Sequence, residues 1–196
     1  MPLLDYKKRE INCKVVYYGT ALGGKTTNLK HIHGQLAPTT RGEMTSLQTQ
    51  TDRTLYFDFL PVEIGTVHDL KVRFSLYTVP GQVEYNSSRK LILNGADAIV
   101  FVADSSVTRA MHNKESLQNM IENLATYNIT PEALPWVLQY NKRDLADAMP
   151  VERMEEELNH YGVPSFQAVA SEGPGVFATL RGVSKLMLEH IASMVK

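Results

Sequence analysis

The chain is short of cysteine. Its 196 residues hold only Cys13, so no internal disulfide can form and a disulfide-stapled secreted scaffold is excluded. A lone thiol fits a reducing compartment. Cys13 lies in a strand-like run and reads as a core residue, not a reactive one. An excess of charge is missing too. Twenty Lys and Arg stand against 21 Asp and Glu, for a net charge of −1. That gives no field to draw the protein to nucleic acid or a membrane surface. The basic trio Lys7-Lys8-Arg9 reads as a solvated lead-in to the first strand. No apolar run is long enough to cross a bilayer, and the N-terminal segment lacks the apolar stretch of a secretory leader. Ser193-Met194-Val195-Lys196 carries no prenylation motif. The expectation is a cytoplasmic chain without direct membrane insertion, recruited to a membrane or cell pole only through partners. No repeat, low-complexity tract or charge run divides the sequence, so one domain over residues 1–196 is expected.

Among what is present, Gly19-Thr20-Ala21-Leu22-Gly23-Gly24-Lys25-Thr26 organises the rest. Its spacing is that of the phosphate-binding loop, G-x-x-x-x-G-K-[ST]. Ile11 to Tyr18 reads as the strand before it and Thr26 to Leu36 as the helix after it. Strand, loop and helix are the context in which glycines turn backbone N–H groups onto phosphate oxygens at a helix N-terminus. Lys25 would reach the β- and γ-phosphates, and Thr26 would place its hydroxyl on Mg2+. The plain alternative, a Gly-rich turn, does not account for the Lys-Thr pair and both flanks.

The remaining pattern repeats strand and helix. Pro38 to Asp52 is a long polar loop. Thr54–Leu60 and Lys71–Tyr77 alternate as a hairpin around a turn at Gly65–Asp69. Ala98–Ala103 is a continuous apolar run suited to a buried parallel strand. Trp136–Tyr140 and Phe166–Ala170 are further strands, and Phe177–Val195 is the closing helix. This order predicts an α/β fold, a doubly wound, mostly parallel six-stranded sheet with one antiparallel edge hairpin. Ligands of such sheets bind at the carboxyl ends of the strands.

Asn141-Lys142-Arg143-Asp144 follows one of those ends and fits N-K-x-D. A carboxylate at Asp144 accepts two bonds from guanine, at N1–H and the 2-amine, whereas adenine presents an acceptor at N1 and has no amine at that position. Paired contacts of this kind discriminate by a factor on the order of 10⁴ or more. Lys142 can lay its stem along the base, and Asn141 can tie this loop to the phosphate loop. Arg143, the variable member, reads as a surface residue. The same holds for Glu155-Glu156-Glu157. His31 and His33 fall on different helix faces and are not a metal pair.

With both motifs in place, the chain resembles the Ras-like small GTPases, and more closely the bacterial MglA family of polarity and motility switches. The resemblance rests on Val16-Tyr17-Tyr18-Gly19, Arg53-Thr54-Leu55, Phe57-Asp58-Phe59-Leu60-Pro61, Leu76-Tyr77-Thr78-Val79-Pro80-Gly81-Gln82-Val83, Ser88-Arg89-Lys90-Leu91 and Asn141 to Leu145. It implies a P-loop NTPase fold of the Ras-like G-domain type that binds GTP, GDP and Mg2+. The resemblance makes Gln82 the residue that positions water and Arg53 an arginine finger supplied within the chain. Thr54 would coordinate Mg2+ beside Thr26, Thr27 would adjoin the nucleotide, and Gly81 would offer its N–H to the γ-phosphate. Val169 and Ala170 would offer N–H groups to the guanine ring. The family pairs with a homodimeric roadblock-fold partner, MglB, that stimulates hydrolysis, and with polarity or motility effectors.

Two positions depart from common patterns. Thr78 stands where many small GTPases place an Asp that holds Mg2+ through water, as in the MglA family. Ala21 stands where the family has Gly, so a methyl group approaches the meeting point of Gln82 and the γ-phosphate. These departures keep open a non-hydrolysing, guanine-nucleotide-dependent binding module. An ATP-using phosphotransferase on the same loop is disfavoured by Asn141 to Asp144. The segments 38–54 and 80–86 are expected to move between nucleotide states.

Overall fold

The computed structural model of the chain describes residues 3–5, 7–47, 57–67, 69–82 and 85–194. Strand β1 (Leu3–Asp5) leads to β2 (Glu10–Gly19) and, through the glycine loop, to α1 (Lys25–Gln35). Then come β3 (Thr45–Leu47), β4 (Phe57–Val67), β5 (Leu70–Thr78) and α2 (Asn86–Leu93). The remainder alternates as β6 (Ala98–Asp104), α3 (Ala110–Ala125), β7 (Trp136–Asn141), α4 (Val151–Leu158), β8 (Ser165–Gln167) and α5 (Val176–Met194).

All strands join one sheet in the order β3-β4-β5-β2-β6-β7-β8, with β1 pairing β2 from outside that row. The pairs from β5 through β8 are parallel, whereas β4–β5, β3–β4 and β1–β2 are antiparallel. Where six strands are expected, the described residues hold eight. The two extra strands have three residues each, too few to show periodicity. β3 lies inside the stretch read as a polar loop, and it forms because β4 offers it an edge. β4 also runs past the expected turn. It continues through Gly65 to Val67, with a register shift between Glu63 and Gly65 that leaves Ile64 as the extra residue of a bulge. The expected start of this strand at Thr54 to Tyr56 lies outside the described residues. β8 is shorter than expected because the chain turns away at Ala168, whose N–H donates to the Tyr140 carbonyl at 2.8 Å.

Period-2 alternation sends side chains into two cores. Cys13, Val15 and Tyr17 of β2, with Val100 and Val102 of β6, pack on the α1 and α5 side. Val16, Tyr18, Ile99 and Phe101 pack on the α2, α3 and α4 side. A buried polar triad spans the first core: Asn28 of α1 and Gln139 of β7 exchange bonds at 2.8 and 3.0 Å, and Gln139 donates to Thr179 of α5 at 2.8 Å. Each partner is satisfied, so the triad fixes helix placement without stranding a polar group.

Cys13 is 1% exposed. Burial, reinforced by the nearby Asp97 carboxylate, pushes its thiol up to about 12 from 9.0. Only the thiolate is nucleophilic. Native protein at pH 8 should therefore resist iodoacetamide over a period in which the urea-unfolded chain is fully alkylated, measured by intact mass. Equal rates in the two states would contradict the buried placement. The same shift makes the folded state hold the proton between pH 9 and 12, so the thiol's contribution to stability is lost as pH rises through that window.

Candidate functional site

The carboxyl ends of β2, β5, β6 and β7 converge on the glycine loop. Gly19 has φ 132°, and a Cβ there would lie 2.1 Å from the Val102 carbonyl oxygen of β6. Gly24, the N-cap of α1, has φ 101°, and a Cβ there would lie 2.1 Å from Nδ2 of Asn141. These two glycines allow the loop to pass between neighbouring strands. α1 has no acidic residue in its first turn and no side-chain cap, so its leading N–H groups are open to an anion.

Lys25 bends back over the loop. Its Nζ donates to the carbonyls of Gly19 at 2.8 Å and Thr20 at 2.7 Å. Burial, with the Arg89 guanidinium nearby, pulls its ammonium down to about 7, and Asp58 opposes the shift. A buried cation needs an anion to offset its desolvation, and a phosphate chain laid on the loop would supply one.

A cavity of about 450 Å³ opens beside the loop, lined by Leu22, Gly24 to Thr27, Ser46, Asp58 and Thr78 to Gly81. Its centre is Asp58, which sequence reasoning missed. The carboxylate accepts from the hydroxyls of Thr26 at 2.5 Å, Thr78 at 3.0 Å and Ser46 at 2.6 Å. Asp58 is 8% exposed and comes from β4, beside Thr78 on β5. Position 78 itself carries a hydroxyl, and the adjacent strand places a carboxylate against it. The sequence held a signal: Asp58 shares its strand face with Leu60 and Val62, both buried, and a carboxylate on a buried face needs a reason.

Asn141 ends β7, and its side chain is fully bonded across the site. Nδ2 donates to the Gly23 carbonyl at 2.8 Å, and Oδ1 accepts the Ala170 N–H at 2.9 Å. Lys142, at φ 65°, donates from Nζ to Asp104 Oδ2 at 2.7 Å, which extends its stem along the sheet end. Asp144 is exposed. Arg143 is not the free surface residue expected. It is half-buried and donates to the Met149 carbonyl at 2.6 Å. The expectation for Val169 and Ala170 also needs correction. The Ala170 N–H is bonded to Asn141, and the Val169 N–H to the Pro174 carbonyl at 3.0 Å. The loop closes on itself, so neither N–H faces out toward a base.

Gly81 lies against the phosphate loop, where a Cβ would come within 2.3 Å of Ala21 Cα. Only glycine permits that approach. Gln82 beside it is exposed, and Arg53 and Thr54 lie outside the described residues. Among the described residues no group of three or more His, Cys, Asp or Glu is placed to hold a metal, and His31 packs edge-on to Phe177. None of the helices is long and apolar enough to cross a membrane, among the described residues.

The sequence model of the ADP-ribosylation factor family matches residues 3–172. The chain is 54% identical over 191 residues to the mutual gliding-motility protein MglA of Myxococcus xanthus, covering 97% of this chain and 98% of that protein. This chain is a Ras-like small GTPase of the MglA family. The GTPase is also 27% identical over 144 residues to the Ypt/Rab-type GTPase ypt7 of Schizosaccharomyces pombe, 71% of this chain and 69% of that one. As a small GTPase it binds GTP and GDP and hydrolyses GTP.

Gly24→Ala combines a left-handed φ with a collision against Asn141. The variant should bind GDP at least tenfold more weakly while the unfolding midpoint of the nucleotide-free protein drops, read by fluorescent-nucleotide titration and urea melts. An alanine there that leaves both unchanged would show that the two loops are not in the contact described.

Proposed function

We propose that this GTPase is a one-domain GTP/GDP switch controlling cell polarity or surface motility, with slow intrinsic hydrolysis that a partner accelerates. The observation that carries the switch reading is Asn141, whose single amide fastens the phosphate loop to the N-K-x-D loop. Nucleotide bound between them would be held at both ends. The motility assignment is supported by the name of the Myxococcus xanthus relative, a mutual gliding-motility protein.

In this reading the phosphates lie along the N–H groups of Gly19 to Thr27, with Lys25 turned onto them. The oxygen-only donor set of Thr26, Thr78 and Asp58 suits a hard cation such as Mg2+. Thr26 would ligate it directly, joined by Thr54 through the family resemblance, and Asp58 with Thr78 would hold its water. When bound, the ion supplies charge neutralisation at the β- and γ-oxygens. Asp144 accepts from guanine, and Lys142 covers the base. Arg53 and Gln82 act on the transition state. Gln82 is exposed, so a roadblock-family dimer of the MglB type would order it together with Arg53. Polarity or motility effectors would read the GTP state at the same segments and bring the protein to a pole. Nucleic acid has no part in this reading.

Asp144→Asn should weaken GTP and favour xanthine nucleotides, because the amide donates where the carboxylate accepted. Wild-type protein that binds ATP as tightly as GTP would overturn guanine specificity. Arg53→Ala and Gln82→Ala should each abolish partner-stimulated phosphate release while leaving GTP affinity within several-fold of wild type. Arginine fingers supply on the order of 10³–10⁵ in rate, and the double variant should be little worse than either single one. Ala21→Gly should raise the stimulated rate. An Arg53→Ala protein hydrolysing at the stimulated wild-type rate would remove Arg53 from the mechanism. Asp58→Ala should raise the Mg2+ concentration needed for tight GDP binding by about tenfold or more, given the strength of hydrogen bonds to charged groups. An unchanged Mg2+ requirement would remove Asp58 from the metal site.

A further inference from the structure

Arg109 belongs to none of the recognised motifs. It ends the short turn Val107–Arg109 after β6 and is the N-cap residue of α3. Its Nη2 donates to the Ala21 carbonyl at 2.9 Å and to the Thr20 hydroxyl at 3.3 Å. The carbonyls of Gly19 and Thr20 are held by Lys25. Three consecutive carbonyls of the phosphate loop therefore end on cations, two on Lys25 and the third on Arg109.

We propose that Arg109 is a positioning residue for phosphate binding, acting through the Ala21–Leu22 peptide. The proposal rests on the reading that this loop takes the nucleotide phosphates. A trans peptide is planar, with C=O and N–H pointing in opposite directions. The Ala21 oxygen points to Arg109, so the Leu22 N–H points away from Arg109, and Leu22 lines the cavity. A guanidinium on the oxygen draws electron density through the amide and makes that N–H a stronger donor to a phosphate oxygen. It also fixes the peptide plane. Leu22 sits at φ 62°, a conformation a leucine adopts only where its surroundings impose it. Its side chain is 86% exposed, so side-chain packing does not hold it there; the turn closed by the Gly23 N–H on the Thr20 carbonyl at 3.2 Å and the Arg109 contact on the Ala21 carbonyl do.

The turn carrying Arg109 is itself anchored to the guanine-side loop. Ser106 Oγ donates to Asp147 Oδ2 at 2.5 Å, the Val107 N–H to the Asp147 carbonyl at 3.1 Å, and the Met149 N–H to the Ser105 carbonyl at 2.7 Å. Arg109 thus bridges the loop after β7 to the loop after β2 on the side opposite Asn141's contacts with Gly23.

The test compares Arg109→Met, Arg109→Lys and Lys25→Ala with wild type. The readouts are fluorescent-GDP and fluorescent-GTP affinity, nucleotide release rate, the urea midpoint of nucleotide-free protein and the ¹⁵N resonance of the Leu22 amide. Arg109→Met should lose about ten- to a hundredfold in affinity for both nucleotides, from the strength of one charge-assisted hydrogen bond, mainly through faster release. Its Leu22 resonance should move upfield as the amide loses polarisation. Arg109→Lys, which keeps the charge and one donor, should stay within about threefold of wild type on the same basis. An Arg109→Met protein that binds GDP like wild type, while Lys25→Ala does not bind, overturns the proposal and leaves the phosphate-loop reading standing. A lowered urea midpoint with an unmoved Leu22 resonance also overturns it, because Arg109 is then only a fold contact. If Lys25→Ala binds GDP normally, the phosphate-loop reading fails and the proposal fails with it.

Discussion

The side chain of Asn141 is the constraint on which the site depends. It is 2% exposed and makes one bond to each of two loops that are far apart in sequence. Neither bond could be lost cheaply, because the Gly23 carbonyl and the Ala170 N–H would be left buried without partners. The approach demands a residue without Cβ at position 24. A strand end, a glycine and an amide thus determine one another, and the spacing between the phosphate side and the base side follows from them.

Electrostatics sets the character of the cavity around that frame. The carbonyls of Gly19, Thr20 and Ala21 are bonded by the cations of Lys25 and Arg109. Lys25 sits in surroundings that disfavour its charge, and Asp58 gathers the hydroxyls of Thr26, Ser46 and Thr78. Each group is held in a state that a magnesium-bearing polyanion would improve. The arrangement is preorganised in the sense that the unfavourable placements are made during folding and relieved on binding.

The contact between the two motif loops was legible, because a glycine at position 24 implies close approach and an asparagine at a strand end can reach a neighbouring loop. The parallel core strands were legible from unbroken apolar runs. Asp58 was not, because its role exists only once β4 lies beside β5 and brings it to Thr78. Arg109 was not, because it meets Thr20 from 89 residues away and no local pattern marks such a partner. The three residues of β3 carry no period that sequence could show. Val169 and Ala170 were assigned by family position, and backbone N–H groups bear no label in a sequence that says which carbonyl they already serve.

Asp58 has a further consequence because of where it resides. The carboxylate that bonds Thr26 and Thr78 belongs to β4, which is covered on its outer side by the three-residue β3. Side chains alternate along a strand, so sliding β4 by one residue would turn Asp58 out of the cavity. Sliding it by two would carry the carboxylate roughly 7 Å from Thr26 and Thr78. A small GTPase that keeps its acid on the strand of Thr78 holds its metal site fixed with the central sheet. Here the negative charge lining the cavity is set by the alignment of a near-edge strand, and that alignment is a mechanical variable a binding protein could grip.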